Sequence, residues 1–283
     1  MSRYKRLFLL AGYDKGGIVD DALIYHVRTL AQYGDVIVCM DNGSHRNEIK
    51  KISKYTIVTL ATRHGEYDFG SYKRCLQYAI HKELLDKYQY VYLVNDSVFG
   101  PMFNMKKMLI KMEKRQDSAV GLVRAQHETH AYMESWFIRL DNTIFLSDWF
   151  REFLYSVKRE EYKYMVTVKY EHGLTNLIQE HGCSWSGIFD VHGRKTYNDP
   201  KYLFENGCPF VKKMSFTRHN GALGKQIKYI LNNSDPIAAK SVMATANRLY
   251  GERYMKRFLT SNPLRILYRN ITYGIKKLIH GGI

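Results

Sequence analysis

RHGEYDFGSYKRCLQYAIHKELLDKYQYVYLVNDSVFGP, residues 63–101, decides how the chain is read. A loop carrying Gly65, Asp68 and Gly70 opens a stretch of helical periodicity over 70–88. The apolar run 90–94 that follows has the composition of a strand, and it stops at Asn95-Asp96-Ser97. A buried strand that ends on a carboxylate at a loop is where an open α/β sheet presents its ligand.

The flanking sequence repeats the pattern. Residues 6–12 form a compact apolar run that ends in Gly-Tyr-Asp-Lys-Gly-Gly. Over 18–33, Leu23, Ile24, Val27, Leu30 and Ala31 follow helical spacing. DVIVCM (35–40) and YTIVTLA (55–61) are further strands, the first closed by Asp41-Asn42-Gly43-Ser44. Such alternation predicts an α/β fold, a mostly parallel central sheet flanked by helices. Beyond Pro101 it loosens into a basic helix at 105–114, strands at 119–123, 133–140 and 184–189, and helices at 142–157 and 170–181. The longest irregular stretch follows Asp190, and 209–216 is an extended run before a helix at 225–231. From 233 onward helix formers dominate without strand signals. The expected division is a domain over 1–232 and a helical basic extension over 233–283.

Composition narrows the function. A net charge of +16 on 283 residues, with pI near 9.5, attracts phosphates, nucleic acid or an anionic membrane. No nucleic-acid motif accompanies that charge, so nucleic acid is not expected as a partner. Cys39, Cys75, Cys183 and Cys208 lack CxxC spacing and read as reduced thiols of a cytoplasmic protein. The apolar run near the start is too short for a secretory signal, and no run reaches the roughly 20 residues that span a bilayer. The sequence contains neither a Walker loop nor a nucleophile elbow.

Three features converge on a phosphate-bearing nucleotide. Asp41, just beyond a strand, can accept hydrogen bonds from a base or ribose. The 65–71 loop offers backbone N–H groups and a helix start, with the cations Arg63, Lys73 and Arg74, to a diphosphate. Asn95, Asp96 and Ser97 supply oxygens suited to Mg²⁺ or Mn²⁺, with Asp96 as the metal ligand. Each has a plainer reading: a turn at Asp41, a helix cap at Asp68, an Asx turn at Asn95. Asp14 is a donor-binding residue or a cap. His127 and His130 form an H-x-x-H pair suited to acceptor hydroxyls or, with a further ligand, to zinc. Trp136 and Trp185 can stack on sugar rings or fill the core.

The order of these blocks resembles the inverting family-two glycosyltransferases of GT-A fold, which carry a VDDGS-like turn and a DxD motif at such places. More specifically, GYDKGGIVDD, EYDFGSYKRCL, VNDSVFGPM, SWFIRL and YEHGLTNLIQEHG resemble the rhamnan-synthesis F (RgpF) family of bacterial polysaccharide glycosyltransferases, over residues 7–189. The resemblance implies a GT-A-like, Rossmann-related sheet and an inverting sugar transfer from a nucleotide donor to a lipid-linked surface or capsular glycan. It favours dTDP-rhamnose, with galactofuranose or another hexose from a UDP-sugar also open. The donor pocket would comprise Asp14, Asp41, Asp68, Lys73, Asn95, Asp96 and Ser97. The family-two base motif corresponds most nearly to Glu171, so Glu171 and Asp96 are the expected catalytic residues. Where that pattern has two or three acids, this chain has Asn95-Asp96-Ser97, which keeps a non-catalytic scaffold or polyanion-binding protein as the alternative.

Residues 248–283 hold eight Lys or Arg against one acid, Glu252. From Leu264 on, Leu267, Tyr268, Ile271, Ile275, Leu278 and Ile279 share one helical arc, and Arg265, Arg269, Lys276, Lys277 and His280 the other. Such a helix suits an anionic membrane surface, which would make the protein peripheral on the inner face of the cell membrane. A helix packed back on its domain with a solvated basic face is the alternative.

Overall fold

A computed structural model describes residues 5–43, 45–126, 130–217, 222–260 and 262–279, without the side chains of Tyr273 and residues 276–279. His127 of the expected His pair and His280 of the basic arc lie outside the described residues. The chain forms two compact units, Met1–Asp96 with Lys106–Gly193, and Ser97–Met105 with Arg194–Ile283.

The first unit begins with β1 (Arg6–Gly12), α1 (Asp21–Leu30), β2 (Asp35–Met40), α2 (Arg46–Ser53), β3 (Val58–Ala61), α3 (Tyr67–His81) and β4 (Tyr90–Asn95). After β5 (Val98–Phe99) in the second unit come α4 (Lys106–Glu113), β6 (Ala119–Gln126), β7 (Ala131–Met133), β8 (Phe137–Asp141), α5 (Asn142–Phe145) and α6 (Asp148–Ser156). The first unit closes with α7 (Lys163–Val166), a π-helical segment Thr167–His172, α8 (Gly173–Glu180) and β9 (Trp185–His192).

The strands form one mixed sheet in the order β3-β2-β1-β4-β8-β6-β7, with β9 also paired to β6. β1, β2, β3 and β4 run parallel, β8 is antiparallel to β4 and β6, and β6 and β9 are parallel. The fold class expected from alternation is present. β1 and β2 are buried along nearly their whole length, which explains their almost unbroken apolar sequences. Their neighbour α3 turns Phe69, Tyr72, Cys75, Leu76 and Ala79 into the same core, one helical face at spacings of three and four.

Parallel direction gathers the loops after β1, β2, β3 and β4 at one edge of the sheet. The chain passes outward from β1 through β2 to β3, then returns to the other side of β1 for β4. The crevice between β1 and β4 is therefore the topological switch point, where α/β sheets bind ligands. There Ala11 pairs with Asn95, and the Asp96 N–H donates to the Ala11 carbonyl at 3.0 Å.

Element ends differ from expectation for local reasons. α1 begins at Asp21 because the Asp20 carboxylate caps it, accepting the Leu23 N–H at 2.9 Å. The aromatic helix at 142–157 is two helices, because Ser147 caps the second through the Phe150 N–H. The strand at 133–140 is broken at Glu134-Ser135-Trp136, with β7 and β8 on either side of the break. Cys39, Cys75 and Cys208 are buried, Cys183 is partly covered, and none of the four is in a disulfide.

In the second unit, β10 (Val211–Lys212) pairs antiparallel with β5. The unit also holds α9 (Lys195–Asn198), α10 (Pro200–Glu205), α11 (Leu223–Asn232), α12 (Pro236–Tyr250), α13 (Glu252–Phe258) and α14 (Pro263–Ile279). Phe216 lies in an aromatic cluster, with Phe99 at 4.8 Å and Phe258 at 6.1 Å between ring centroids. The stretch after Asp190 that reads as irregular contains α9 and α10, helices too short to show a period. No described helix is long and apolar enough to cross a membrane.

Candidate active site

At the end of β2 the buried Asp41 carboxylate accepts two backbone N–H groups through Oδ1, from His64 at 2.8 Å and Gly65 at 2.9 Å. The turn after β2 and the loop after β3 are thereby one structure. Gly65 suits the position because its φ is +67°, a conformation that strains a residue with a Cβ. His64 Nδ1 lies 3.5 Å from Asp41 Oδ2 and accepts the Glu66 N–H at 3.0 Å. An acceptor at Nδ1 requires a lone pair, so the imidazole is neutral and Nε2 donates to Ser71 Oγ at 3.1 Å. Burial, the largest influence, pushes the His64 pKa down, which agrees with that neutral form.

The loop after β1 is built around Asp14. Its Oδ1 accepts the Gly16 and Ile18 N–H groups at 2.9 and 3.1 Å, and its carbonyl accepts the Asn42 amide at 2.8 Å. Asp14 thus organises its own loop and links the ends of β1 and β2.

The end of β4 carries the second cluster. Asn95, 2% exposed, donates its side-chain amide to Asp68 Oδ2 at 2.8 Å. Tyr72, one turn after Asp68 on α3 and fully buried, is hydrogen-bonded to the Asn95 side chain and donates its hydroxyl to the Ser135 carbonyl at 3.0 Å. Ser135 in turn donates its N–H to Glu171 Oε1 at 2.7 Å. Burial pushes the Tyr72 phenol well above its ordinary value, and the nearby Asp68 and Glu171 charges push it the same way. Asp68, Asn95 and Glu171, remote in sequence, are thus brought around one tyrosine. Ser135 lies in the break between β7 and β8, and Glu171 projects from the π-helical segment, a distortion often found at functional sites.

Lys73 is turned to structural partners. Its ammonium bonds the Val157 carbonyl and Glu66 Oε2, the latter at 2.9 Å. Arg74 shares that Glu66 oxygen at 2.7 Å and bonds the Gly70 carbonyl at 2.8 Å. Ser97 begins the second unit, where its hydroxyl bonds Lys212 Nζ at 3.1 Å. Among the described residues, no three His, Cys, Asp or Glu side chains form a metal-holding group.

Close to Glu171, the rings of Tyr132 and His172 lie 4.0 Å apart between centroids, and His130 lies 4.8 Å from His172. Burial first, then the Glu171 charge, raises the Tyr132 pKa. Trp136 is a core residue whose indole N–H donates to Glu134 at 2.7 Å, while the half-buried Trp185 lies under Arg124. His64, Tyr72 and Ser135 stand out in no motif as functional. The four-residue spacing of Tyr72 from Asp68, which places both on one helical face, is the signal that points to Tyr72.

Several solved structures are similar to the chain. A protein from Desulfovibrio desulfuricans described as a nucleotide-diphospho-sugar transferase matches at 14% identity and TM-score 0.42, over 89% of this chain and 98% of that one. The glycosyltransferase GlyE of Streptococcus pneumoniae matches at 10% identity and TM-score 0.42, over 86% and 64%. Core-mannan synthase A of Aspergillus fumigatus, in its Mn/GDP form, matches at 11% identity and TM-score 0.35, over 54% and 63%. No curated protein sequence matches the chain. The model of the family described as rhamnan synthesis protein F matches residues 36–266, a span that includes Asp41, Asp68, Asn95 and Glu171. The chain belongs to the RgpF family of polysaccharide glycosyltransferases.

Proposed function

We propose that the protein is an inverting enzyme that takes rhamnose from dTDP-rhamnose and adds it to a lipid-linked intermediate of a bacterial surface polysaccharide. The observation that carries this reading is the convergence of Glu171, Asp68 and Asn95 on Tyr72 and Ser135 at the carboxyl end of β4. That edge is where a nucleotide donor meets an α/β sheet. The choice of rhamnose follows the description of the family, rhamnan synthesis.

In this reading the Glu171 carboxylate, oriented by the Ser135 N–H, takes the proton of the acceptor hydroxyl. The acceptor oxygen forms its bond to the anomeric carbon as the bond to the donor's β-phosphate oxygen breaks on the opposite face. The nucleoside diphosphate departs with that electron pair. His130, Tyr132 and His172 supply ring faces and hydrogen-bonding groups for the acceptor sugar. Asp14 and Asp41 shape the nucleotide side through the loops they hold.

Asp96, with Asp68 beside Asn95, offers oxygen ligands of the type Mg²⁺ or Mn²⁺ accepts when it keeps waters and takes its other ligands from substrate phosphates. When bound there, such an ion would neutralise charge on the departing diphosphate. The 233–283 region is assigned the role of holding the enzyme on the inner face of the cell membrane, close to a lipid-linked acceptor.

A screen of purified nucleotide sugars tests the donor, with dTDP, UDP and GDP compared for thermal stabilisation in the presence and absence of Mn²⁺. Hydrolysis of dTDP-rhamnose that Asp96→Ala abolishes is the expected result. Failure of every nucleotide to stabilise the protein would overturn the reading, and preference for a UDP-sugar would reassign the donor.

A further inference from the structure

The Gly65 loop has two sequence-adjacent cations that are already engaged. Lys73 and Arg74 converge on the same oxygen of Glu66 and on the carbonyls of Val157 and Gly70. Both are well covered, with side-chain exposures of 13% and 23%. They hold the start of α3 together and present little charge outward.

Arg63, at the start of the loop, is exposed, and a further cation reaches the loop from the segment joining α6 to α7. Arg159 lies across Gly65: a methyl group placed on Gly65 would stand 3.5 Å from Arg159 Cδ and 3.7 Å from its Nε. The Gly65 N–H is one that Asp41 holds, so Arg159 sits against the loop tied to the end of β2. Its neighbours in sequence are pinned. The Val157 carbonyl accepts from Lys73, and the Lys158 N–H donates to the Tyr170 hydroxyl at 3.1 Å. Glu160, the nearest carboxylate along the chain, accepts from Tyr170 at 2.9 Å and from Lys169 at 2.8 Å. The segment is therefore anchored on both sides of Arg159, while Arg159 itself is exposed and has no carboxylate partner among the described residues.

We propose that Arg159, whose side chain lies alongside the Gly65 loop, is the residue that meets the phosphates of the nucleotide donor. The inference rests on the nucleotide-sugar reading above and assigns to Arg159 the role that sequence order gives to Lys73. A guanidinium suits the task because its planar set of donors matches phosphate oxygens two at a time. An anchored backbone on either side also lowers the entropy lost when the side chain is fixed by a ligand.

The test measures binding of dTDP, dTMP and thymidine, with UDP and GDP in parallel, to the full chain and to its R159A and R159K variants. For the nucleoside diphosphate that wild type binds, R159A should weaken binding by roughly tenfold or more, and R159K by less, as loss of a charge-assisted contact predicts. Thymidine, which lacks phosphate, should bind both alike, and the unliganded melting temperature of R159A should stay near wild type because the side chain is exposed. Raising salt should weaken diphosphate binding more in wild type than in R159A. Equal diphosphate affinity in wild type and R159A would overturn the assignment while leaving the nucleotide-sugar reading intact. Absence of nucleotide binding by wild type would overturn that reading and this inference with it.

Discussion

The Asp68 carboxylate accepts the side-chain amide of Asn95 at 2.8 Å, joining the first turn of α3 to the last residue of β4. The sequence Asn95-Asp96-Ser97 looks short of acids for a diphosphate site, and this contact brings a second carboxylate to it from another element. The contact also holds a buried amide. Asp68→Ala would take away that acceptor, at a cost of about 1–3 kcal/mol. Melting temperature should fall by several degrees, at about 2–4 °C per kcal/mol for a chain approaching this size. Asp68→Asn, which keeps a carbonyl oxygen for Asn95, should recover most of that stability. A wild-type melting temperature for Asp68→Ala would show that the contact is energetically idle.

Glu171 is the group whose replacement should affect chemistry and leave donor binding alone. Glu171→Gln is nearly isosteric and its amide oxygen can still accept the Ser135 N–H. With general-base catalysis lost, kcat should fall by about 10²–10⁴-fold. Donor KM and stabilisation by nucleotide should remain close to wild type. An unchanged kcat would move the base elsewhere.

Tyr72 acts at one remove, by holding Ser135, which in turn holds Glu171. Tyr72→Phe keeps the ring against Phe69, 5.6 Å between centroids, and removes only the hydroxyl. Stability should drop by about 1 kcal/mol, the net worth of an ordinary hydrogen bond. The informative readout is kinetic. Tyr72→Phe should lower kcat in the wild-type background and have little further effect on Glu171→Gln, because the two act through one chain of contacts. Fully additive losses would separate Tyr72 from the base.

His64 gives the site a pH dependence whose sign follows from its environment. Burial holds its folded pKa below the ordinary histidine value near 6.5. Between those two values the unfolded chain binds a proton that the folded one does not, so stability rises with pH across that window. The contribution is fully present above about pH 6.5 and is lost as pH falls toward the depressed folded value. His64→Asn can keep an acceptor for the Glu66 N–H without titrating. Melting temperatures followed between about pH 5 and 8 should fall more steeply on the acid side for wild type than for His64→Asn. Parallel curves would remove His64 as the source.

What could be read in advance was the sheet and its four parallel strand ends, because buried parallel strands are continuous apolar runs and the turn residues that close them are conspicuous. Asp41, Asp68, Asn95 and Glu171 were legible as residues. Their connections were not, since Tyr72 and Ser135 look like an ordinary aromatic and an ordinary loop serine. Lys73 shows the converse. A lysine near a glycine loop suggests phosphate, but Glu66 and the Val157 carbonyl occupy its ammonium, and the latter lies too far along the chain for spacing to reveal it. Likewise a strand broken at 134–136 and a helix widened over Thr167–His172 depend on partners that no local period encodes.

The α14 helix should carry the protein onto anionic bilayers, and its packing says which residues do so. Leu264, Leu267, Tyr268, Ile271 and Ile275 are between 50% and 74% exposed, so the apolar arc is not what holds the helix to its unit. Arg269 is turned inward instead, donating to the carbonyls of Phe258 at 3.1 Å and Arg257 at 3.2 Å at the end of α13. It satisfies orphan carbonyls there, as cations at helix C-termini do. An outward apolar arc on a cationic helix is the arrangement of an interfacial helix, with each basic residue near the surface adding about 1 kcal/mol on anionic lipid. Deleting residues 262–283 should release the protein from anionic liposomes. Leu267→Glu with Ile271→Glu should do the same without lowering the melting temperature, because both side chains are exposed. Added salt should weaken the wild-type interaction. Undiminished flotation of the double variant with anionic liposomes would mean that the apolar arc of α14 faces something other than lipid.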